Sequence, residues 1–471
     1  MSRNRQIYLL DPRRLSPETI AVTFAKTSRS PLSFQEIADE LTEAGASRFH
    51  EKWVVGYGHS SVAEHAVLHI AVENVSRLAA ECLESNRLAS YTEKSTRYQT
   101  WGEEDFYIPA ELTNHLLHDE YVQTCRRLFF TYQQAIPLVR QAAAGEEPQQ
   151  PDESNADFER RIHCTAVDVC RFILPSASLA NLGITINARG LEHALCKMLS
   201  HPLEEVRQIG EQIKAASLQS VPTLVKYASP QNNLSAEIPP AFPRLSTPAG
   251  KETDWCTLID FDPQADEKIL AAGLYRFSSL PFAACTEEVR TMPSNARTAL
   301  LNRLLGDSGL HETPLRELEY TGYVFDLVMD QGAYYEFKRH RMMTQTAQTL
   351  SCGLGYALPR LISAAGFERN YDEAMNLASE ACARLAGFSP YLASYLVPNA
   401  FRRRVLAGLN YRAAQHLIRL RTAPNAHFSI RRVAQRLAGE IRAANPLLGE
   451  RLLCGAEETW QSIERAHFTH A

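Results

Sequence analysis

An α+β fold made of two homologous lobes is what this sequence predicts, and three observations predict it. A proline-rich stretch divides the chain near its middle, short motifs recur in the same order on either side, and strand-like runs precede helical patterns in both halves. The divide spans 229–254, where Pro230, Pro239, Pro240, Pro243 and Pro248 interrupt any lasting apolar period. It sets a first copy at 1–228, a linker at 229–254 and a second copy at 255–471. Residues 145–155 (GEEPQQPDESN) read as an exposed loop inside the first copy.

The repeat is carried by particular residues. His59-Ser60-Ser61 aligns with His311-Glu312-Thr313, and Arg87 aligns with Arg341. Further on, Leu174-Pro175 and Asn187-Ala188-Arg189 align with Val397-Pro398 and Asn410-Tyr411-Arg412 at one common separation. Longer connections in the first copy explain why the earlier pairs lie further apart. A repeat of about two hundred residues is too long for a solenoid unit and reads as a duplicated domain. Such a pair folds as a covalent pseudo-dimer, one chain standing in for two symmetric subunits.

Local patterns agree between the copies. Residues 67–73 and 320–328 alternate as strands do. Asn74 and Asp330 follow them as expected helix caps, since their side-chain oxygens accept from free amides of a first turn. The helix after Asp330 is expected to carry Glu336, Arg339 and His340 on one face, at i, i+3 and i+4. Long amphipathic helices are expected over 201–220 and 427–444.

Composition narrows the class of function. The chain has 471 residues, 45% hydrophobic and 22% charged, which suits two or three ordinary globular units. A net charge of −5 gives no electrostatic case for binding nucleic acid or an anionic membrane. No apolar run is long enough to span a bilayer, and Met1-Ser2-Arg3-Asn4-Arg5-Gln6-Ile7-Tyr8 lacks the apolar core of a signal peptide. The ten cysteines form no Cys-x-x-Cys pair, so neither a metal site nor a redox dithiol is expected, and reduced thiols suit a cytoplasmic enzyme.

Three motifs carry chemistry. Arg339-His340-Arg341 holds two guanidiniums that stay charged and need acceptors, either water at a helix end or an anionic ligand. The run Glu93-Lys94-Ser95-Thr96-Arg97 offers hydroxyls and a fork-shaped guanidinium, a plausible phosphate seat or an ordinary solvated loop. On the third, Asn410-x-Arg412-x-x-x-His416-x-x-x-x-Arg421, Arg412 and His416 share a helix face, while Arg421 falls on roughly the opposite side of a straight helix. The first copy has Asn187-x-Arg189-x-x-x-His193 but Met198 where Arg421 would be. Arg402-Arg403-Arg404 and Arg431-Arg432 read as solvated faces or ion pairs between subunits.

In order and in duplicate, these motifs resemble the flavin-dependent thymidylate synthases, over nearly the whole chain. That family has His-x-[Ser/Thr], then Arg-His-Arg, then Ser-x-Arg after seven residues, and later the Asn-x-Arg helix. The resemblance implies C5 methylation of dUMP with FAD as cofactor and methylenetetrahydrofolate and NADPH as co-substrates. It also implies a tetramer, which two duplicated chains would rebuild as a homodimer. Its flavin positions fall on His59, Ser61, His311, Thr313, Arg339, His340, Arg341, Glu93, Asn187, Arg189, His193, Asn410, Arg412 and His416. Which of His59 and His311 would serve the intact site stays open. Its nucleotide positions fall on Glu336, Arg339, Glu93, Ser95, Thr96, Arg97, Arg171 and Arg421, with Arg421 and Arg339 the catalytic candidates.

Each copy keeps what the other has lost. The second retains Arg339, His340, Arg341 and Arg421, but has Thr349 and Ser351 for the loop and Ser394 at the position of Arg171. The first retains Glu93, Ser95, Arg97 and Arg171, but has Ser85, Asn86 and Met198 in place of the others. One composite site per chain is therefore expected. Glu336 departs from the family's glutamine, and a carboxylate beside a nucleotide needs a partner, for which Arg339 is the nearest candidate. That departure leaves open another pyrimidine nucleotide as substrate, or a non-catalytic flavin- or nucleotide-binding protein.

Overall fold

The computed structural model describes residues 6–28, 30–56, 60–95, 97, 99–234, 254–306, 313–455 and 457–469. His59, Thr96, His311 and most of the expected linker lie outside the described residues. The chain forms two compact units, and their limits do not follow the linker. One comprises Met1–Ser95, Asp105–His118 and Ala177–Ser246; the other comprises Thr96–Glu104, Asp119–Ser176 and Thr247–Ala471. Two segments from before the linker thus belong to the unit that holds the whole second repeat.

In the first unit, β1 (Val67–Ser76), β2 (Ala89–Glu93) and β3 (Leu179–Asn187) form an antiparallel sheet in the order β1-β3-β2. Asn74 does not cap a helix. It takes a left-handed φ of 56° at the irregularity where β1 slips its register on β3, and the strand runs on to Ser76. Ser76 is the cap of the helix Arg77–Leu83, accepting from the Ala79 amide while its hydroxyl donates to Glu205 at 2.6 Å. The expected 201–220 helix is shorter, Glu204–Ser217.

In the second unit, β4 (Cys256–Phe261), β5 (Gly322–Asp330), β6 (Thr344–Ala347), β7 (Leu358–Pro359), β8 (Arg402–Asn410) and β9 (Phe468–Thr469) make two sheets, β4-β5-β8-β6 and the small pair β7-β9. The segment β5-β8-β6 repeats β1-β3-β2: the pairing Val67↔Asn187 in one is Gly322↔Asn410 in the other. β3 and β8 alternate buried and open residues in the same sequence, so one face of each is apolar. Asn187 and Asn410 each end their strand as a helix cap, accepting from the amides of Gly190 and Ala413 at 2.8 Å. These are two homologous mixed α/β lobes of α+β class.

The core of the second unit forms where Phe325, Leu327 and Met329 of β5 and Val405, Ala407 and Leu409 of β8 meet two helices, Tyr411–Arg421 and Phe428–Ala444. Asp330 caps the helix Gln331–Phe337 as expected. Full burial raises its carboxyl pKa, opposed by its hydrogen bonds to Ser429 and the Ala333 amide. The arginine runs are not solvated faces. Arg403, Arg431 and Arg432 are buried. The Arg403 guanidinium lies 4.7 Å over Tyr334, and Arg432 pairs with Glu464 at 2.6 Å beneath Trp255.

The Leu-Pro and Val-Pro steps meet within this unit. Pro175 bridges Pro398, the Ser176 amide donates to Val397 at 3.0 Å, and the Asn399 amide donates to Leu174 at 3.0 Å. Because Leu174 aligns with Val397 and Ser176 with Asn399, each repeat gives the other the same bond it receives. That reciprocity is the mark of a two-fold relation.

Candidate functional site

The site is assembled from four segments of the second unit. Helix Asn155–Cys170 supplies Asp168, and Arg171 opens the short 3-10 turn that follows it. Helix Gln331–Phe337 supplies Glu336 and ends before Arg339, which is exposed; His340 lies in the following turn and is buried. The expected shared helix face for Glu336, Arg339 and His340 therefore does not form. Helix Tyr411–Arg421 supplies His416 and, at its last residue, Arg421.

Arg171, Glu336, Arg421 and His340 form one hydrogen-bonded network, and an Arg97–Asp168 pair lies beside it. Glu336 accepts from Arg421 Nη1 at 2.9 Å through Oε2 and from Arg171 Nη2 at 3.2 Å through Oε1. Its partners are thus Arg421 and Arg171, where the sequence suggested Arg339. The Nε of Arg421 donates to His340 Nε2 at 3.0 Å. Arg97 is held by Asp168 with Nε and Nη2 both bonded, the shortest at 2.7 Å, while its Nη1 donates to the Asn425 carbonyl. The Arg171 carbonyl in turn accepts from Asn399 Nδ2 at 2.8 Å, tying the site to the reciprocal Pro-step.

Electrostatics fix the protonation of His340. Burial, then Arg421 and His416, push its pKa down to about 3. The ring is neutral near pH 7, and accepting from Arg421 at Nε2 places its proton on Nδ1. His416, whose ring centre is 5.6 Å from that of His340, is lowered by burial and by Arg421 and Arg419. So His416 and Arg421 converge on His340, although their spacing on a straight helix suggested otherwise. Arg421 is itself lowered by burial, with Glu336 opposing and Arg339 and Arg97 adding to the shift; a guanidinium stays charged regardless.

Other predicted residues have separate positions. Glu93 forms a buried ion pair with Arg77 at 3.1 Å in the first unit, to which Ser95 also belongs. Asn187 and Asn410 are helix caps, and Arg189 pairs with Glu64. Arg412 pairs with Glu319 at 2.6 Å. His193 is lowered in pKa by burial and Lys197. Ser61 and Thr313 are exposed, and Arg341 is half-buried. Four participants were missed in the sequence: Asp168, Asn399, Gln345 and the Asn425 carbonyl. Asp168 had a signal, lying three residues before Arg171 in a helical pattern. Gln345 donates to the His340 carbonyl at 3.2 Å, and its buried Oε1 has no partner among the described residues.

This arrangement is a cationic, largely buried cluster with donors drawn from both repeats. A family model described as thymidylate synthase complementing protein matches residues 12–223 and again 257–447. The chain belongs to that family, and the two matches fall on the two repeats. A UPF0159 protein of Chlamydia muridarum is 31% identical over 427 residues, covering 86% of this chain and 80% of that protein. A second UPF0159 protein, from Thermoplasma acidophilum, is 25% identical over 438 residues, 85% of this chain and 87% of its own. A flavin-dependent thymidylate synthase of Clostridium tetani is 25% identical over 220 residues, 83% of that protein but 46% of this chain. Two relatives therefore share the double length, and the third is similar to about half.

Proposed function

We propose that the protein catalyses flavin-dependent C5 methylation of a pyrimidine nucleotide, dUMP to dTMP with methylenetetrahydrofolate and NADPH, at one composite site per chain. The observation that carries this is the hydrogen-bonded network of Arg171 from the first repeat with Glu336, His340 and Arg421 from the second, with Arg97 of the first repeat close enough to Arg421 to lower its pKa. In this reading Arg97 and Arg171 hold the phosphate. Arg421 presents Nη2, which has no protein hydrogen bond among the described residues, to the uracil edge. Its other nitrogens are fixed by His340 and Glu336. A guanidinium held from two sides loses little freedom on binding and polarises the base without reorganising.

The residues present fit FAD. Arg339 and Arg341 supply positive charge to an anionic cofactor, and Gln345 Oε1, without a partner among the described residues, leaves an acceptor beside His340 for a ring N–H. When bound, FAD would supply the redox chemistry that no side chain offers. Asn187 and Asn410, committed as helix caps, would support the cofactor's surroundings and not touch it. Among the described residues, no helix is long and apolar enough to cross a membrane. The family's four-lobed assembly would be rebuilt by a homodimer, which light scattering of the full chain would test.

Turnover decides the matter. Purified full-length protein with FAD should show a flavin absorbance band and convert dUMP to dTMP. Preferential turnover of UMP or dCMP would move the reading to another nucleotide, the alternative that Glu336 favours. Absence of both flavin binding and turnover would leave a nucleotide-binding protein derived from the family.

A further inference from the structure

Arg171 and Arg421 already hold an anion, and it belongs to the chain. The Glu336 carboxylate spans them, one oxygen to each, with the side chains of Arg171, Glu336 and Arg421 only 6%, 9% and 14% exposed. Two buried guanidiniums without an anion would be strongly unfavourable, so the carboxylate balances the cluster. The two bonds are unequal: 2.9 Å to Arg421 and 3.2 Å to Arg171. Arg171 also keeps a buried Nε–H with no hydrogen-bond partner among the described residues. Glu336 therefore uses Arg171 incompletely, and a planar carboxylate already bonded to Arg421 through its other oxygen reaches only one nitrogen of it.

The geometry points to Glu336 as an internal competitor at Arg171, and so as a specificity-determining residue that only a phosphomonoester dianion displaces. A tetrahedral phosphate brings more charge than a carboxylate and enough oxygens to take both Nη2 and the orphan Nε of Arg171. Glu336 then gives up its longer bond and keeps the shorter, so Arg421 stays clamped for the base. A nucleoside, or a monoanion, lacks the charge to make that exchange. The inference rests on the reading that this cluster binds a nucleotide, and it adds what the glutamate does there.

Titration calorimetry of the full chain tests it, with inorganic phosphate, dUMP and deoxyuridine as probes. Glu336→Gln keeps the acceptor for Arg421 and removes the charge, so phosphate and dUMP should each bind about tenfold tighter, with deoxyuridine unchanged. Glu336→Asp keeps the charge, and its phosphate affinity should stay within about threefold of the wild type. Should Glu336→Gln prove too unstable for titration, its melting temperature should climb more steeply with added phosphate than that of the wild type. Unchanged or weakened phosphate binding in Glu336→Gln, equal tightening in Glu336→Asp, or no phosphate binding by any form overturns the inference. If Glu336→Gln gains phosphate affinity but no form binds dUMP, the nucleotide reading fails and the competitor role stands.

Discussion

Helix Ala188–Leu199 and helix Tyr411–Arg421 begin alike and end differently. Both follow a nine-residue strand, both are capped by asparagine, and both bury an apolar face on their own sheet. At the last turn the first helix has Met198, 2% exposed, where the second has Arg421 in contact with His340 and Glu336. The same holds one layer away. Arg171 meets Glu336, whereas Ser394 at the aligned position turns its hydroxyl to the Leu350 carbonyl at 2.8 Å. A fold slot built for a charge can be refilled with a thioether or a self-satisfied hydroxyl without loss of the framework, because strand pairing and capping do not depend on it. One location keeps a buried charged network; its counterpart keeps only packing.

The strongest way to break this comparison is to exchange the two outcomes. Arg421→Ala should weaken dUMP binding on the order of a hundredfold, because truncating one member of a buried charged pair strands the other. Met198→Ala should leave dUMP affinity within about threefold while lowering stability by ~2–5 kcal/mol, the usual range for truncating a buried side chain. Equal loss of binding in both calorimetric titrations would mean that two sites operate. Next in size is the acid response. A histidine neutral in the fold but free to protonate when unfolded lowers stability as pH falls below about 6.5. For His340 that loss should accrue down to about 3. His340→Gln, which still offers an acceptor to Arg421, should flatten part of the decline in melting temperature between pH 6.5 and pH 4. The remainder should persist, since His201 and His467 are also pushed down to about 4 by burial. Smallest is the cap: Asn410→Ala should lower stability by ~1 kcal/mol in denaturant melts, and Asn187→Ala by a similar amount. A cap loss that also abolished nucleotide binding at one helix only would sharpen the contrast between them.

What the sequence disclosed was local. The strand ending at Asp330 and its cap, and the repeated strand-to-helix steps at Asn187 and Asn410, follow from alternation and short polar side chains. What it concealed depends on distant pairing. Asn74 looked like a cap because an asparagine oxygen suits one, but its left-handed backbone is imposed by a register slip against β3. Arg339 looked like the mate of Glu336 because it is near in sequence, yet the helix stops at Phe337, and the partner Arg171 is 165 residues away. The complementary losses in the two repeats were legible because they concern residue identity alone. The counter-anion role of Glu336 was not, because it needs the position of both arginines.

The reciprocal bonds between Leu174–Ser176 and Val397–Asn399 bear on how the chain is made. Residues 119–176 leave the ribosome long before their neighbours in the same compact unit exist. Until translation reaches Asn399 and Ala400, Leu174 and Phe172 lack the backbone amides that later pair with them. The unit therefore cannot be completed domain by domain in order of synthesis. A nascent chain stalled at the proline-rich stretch would expose that apolar segment, and chaperones would meet it there.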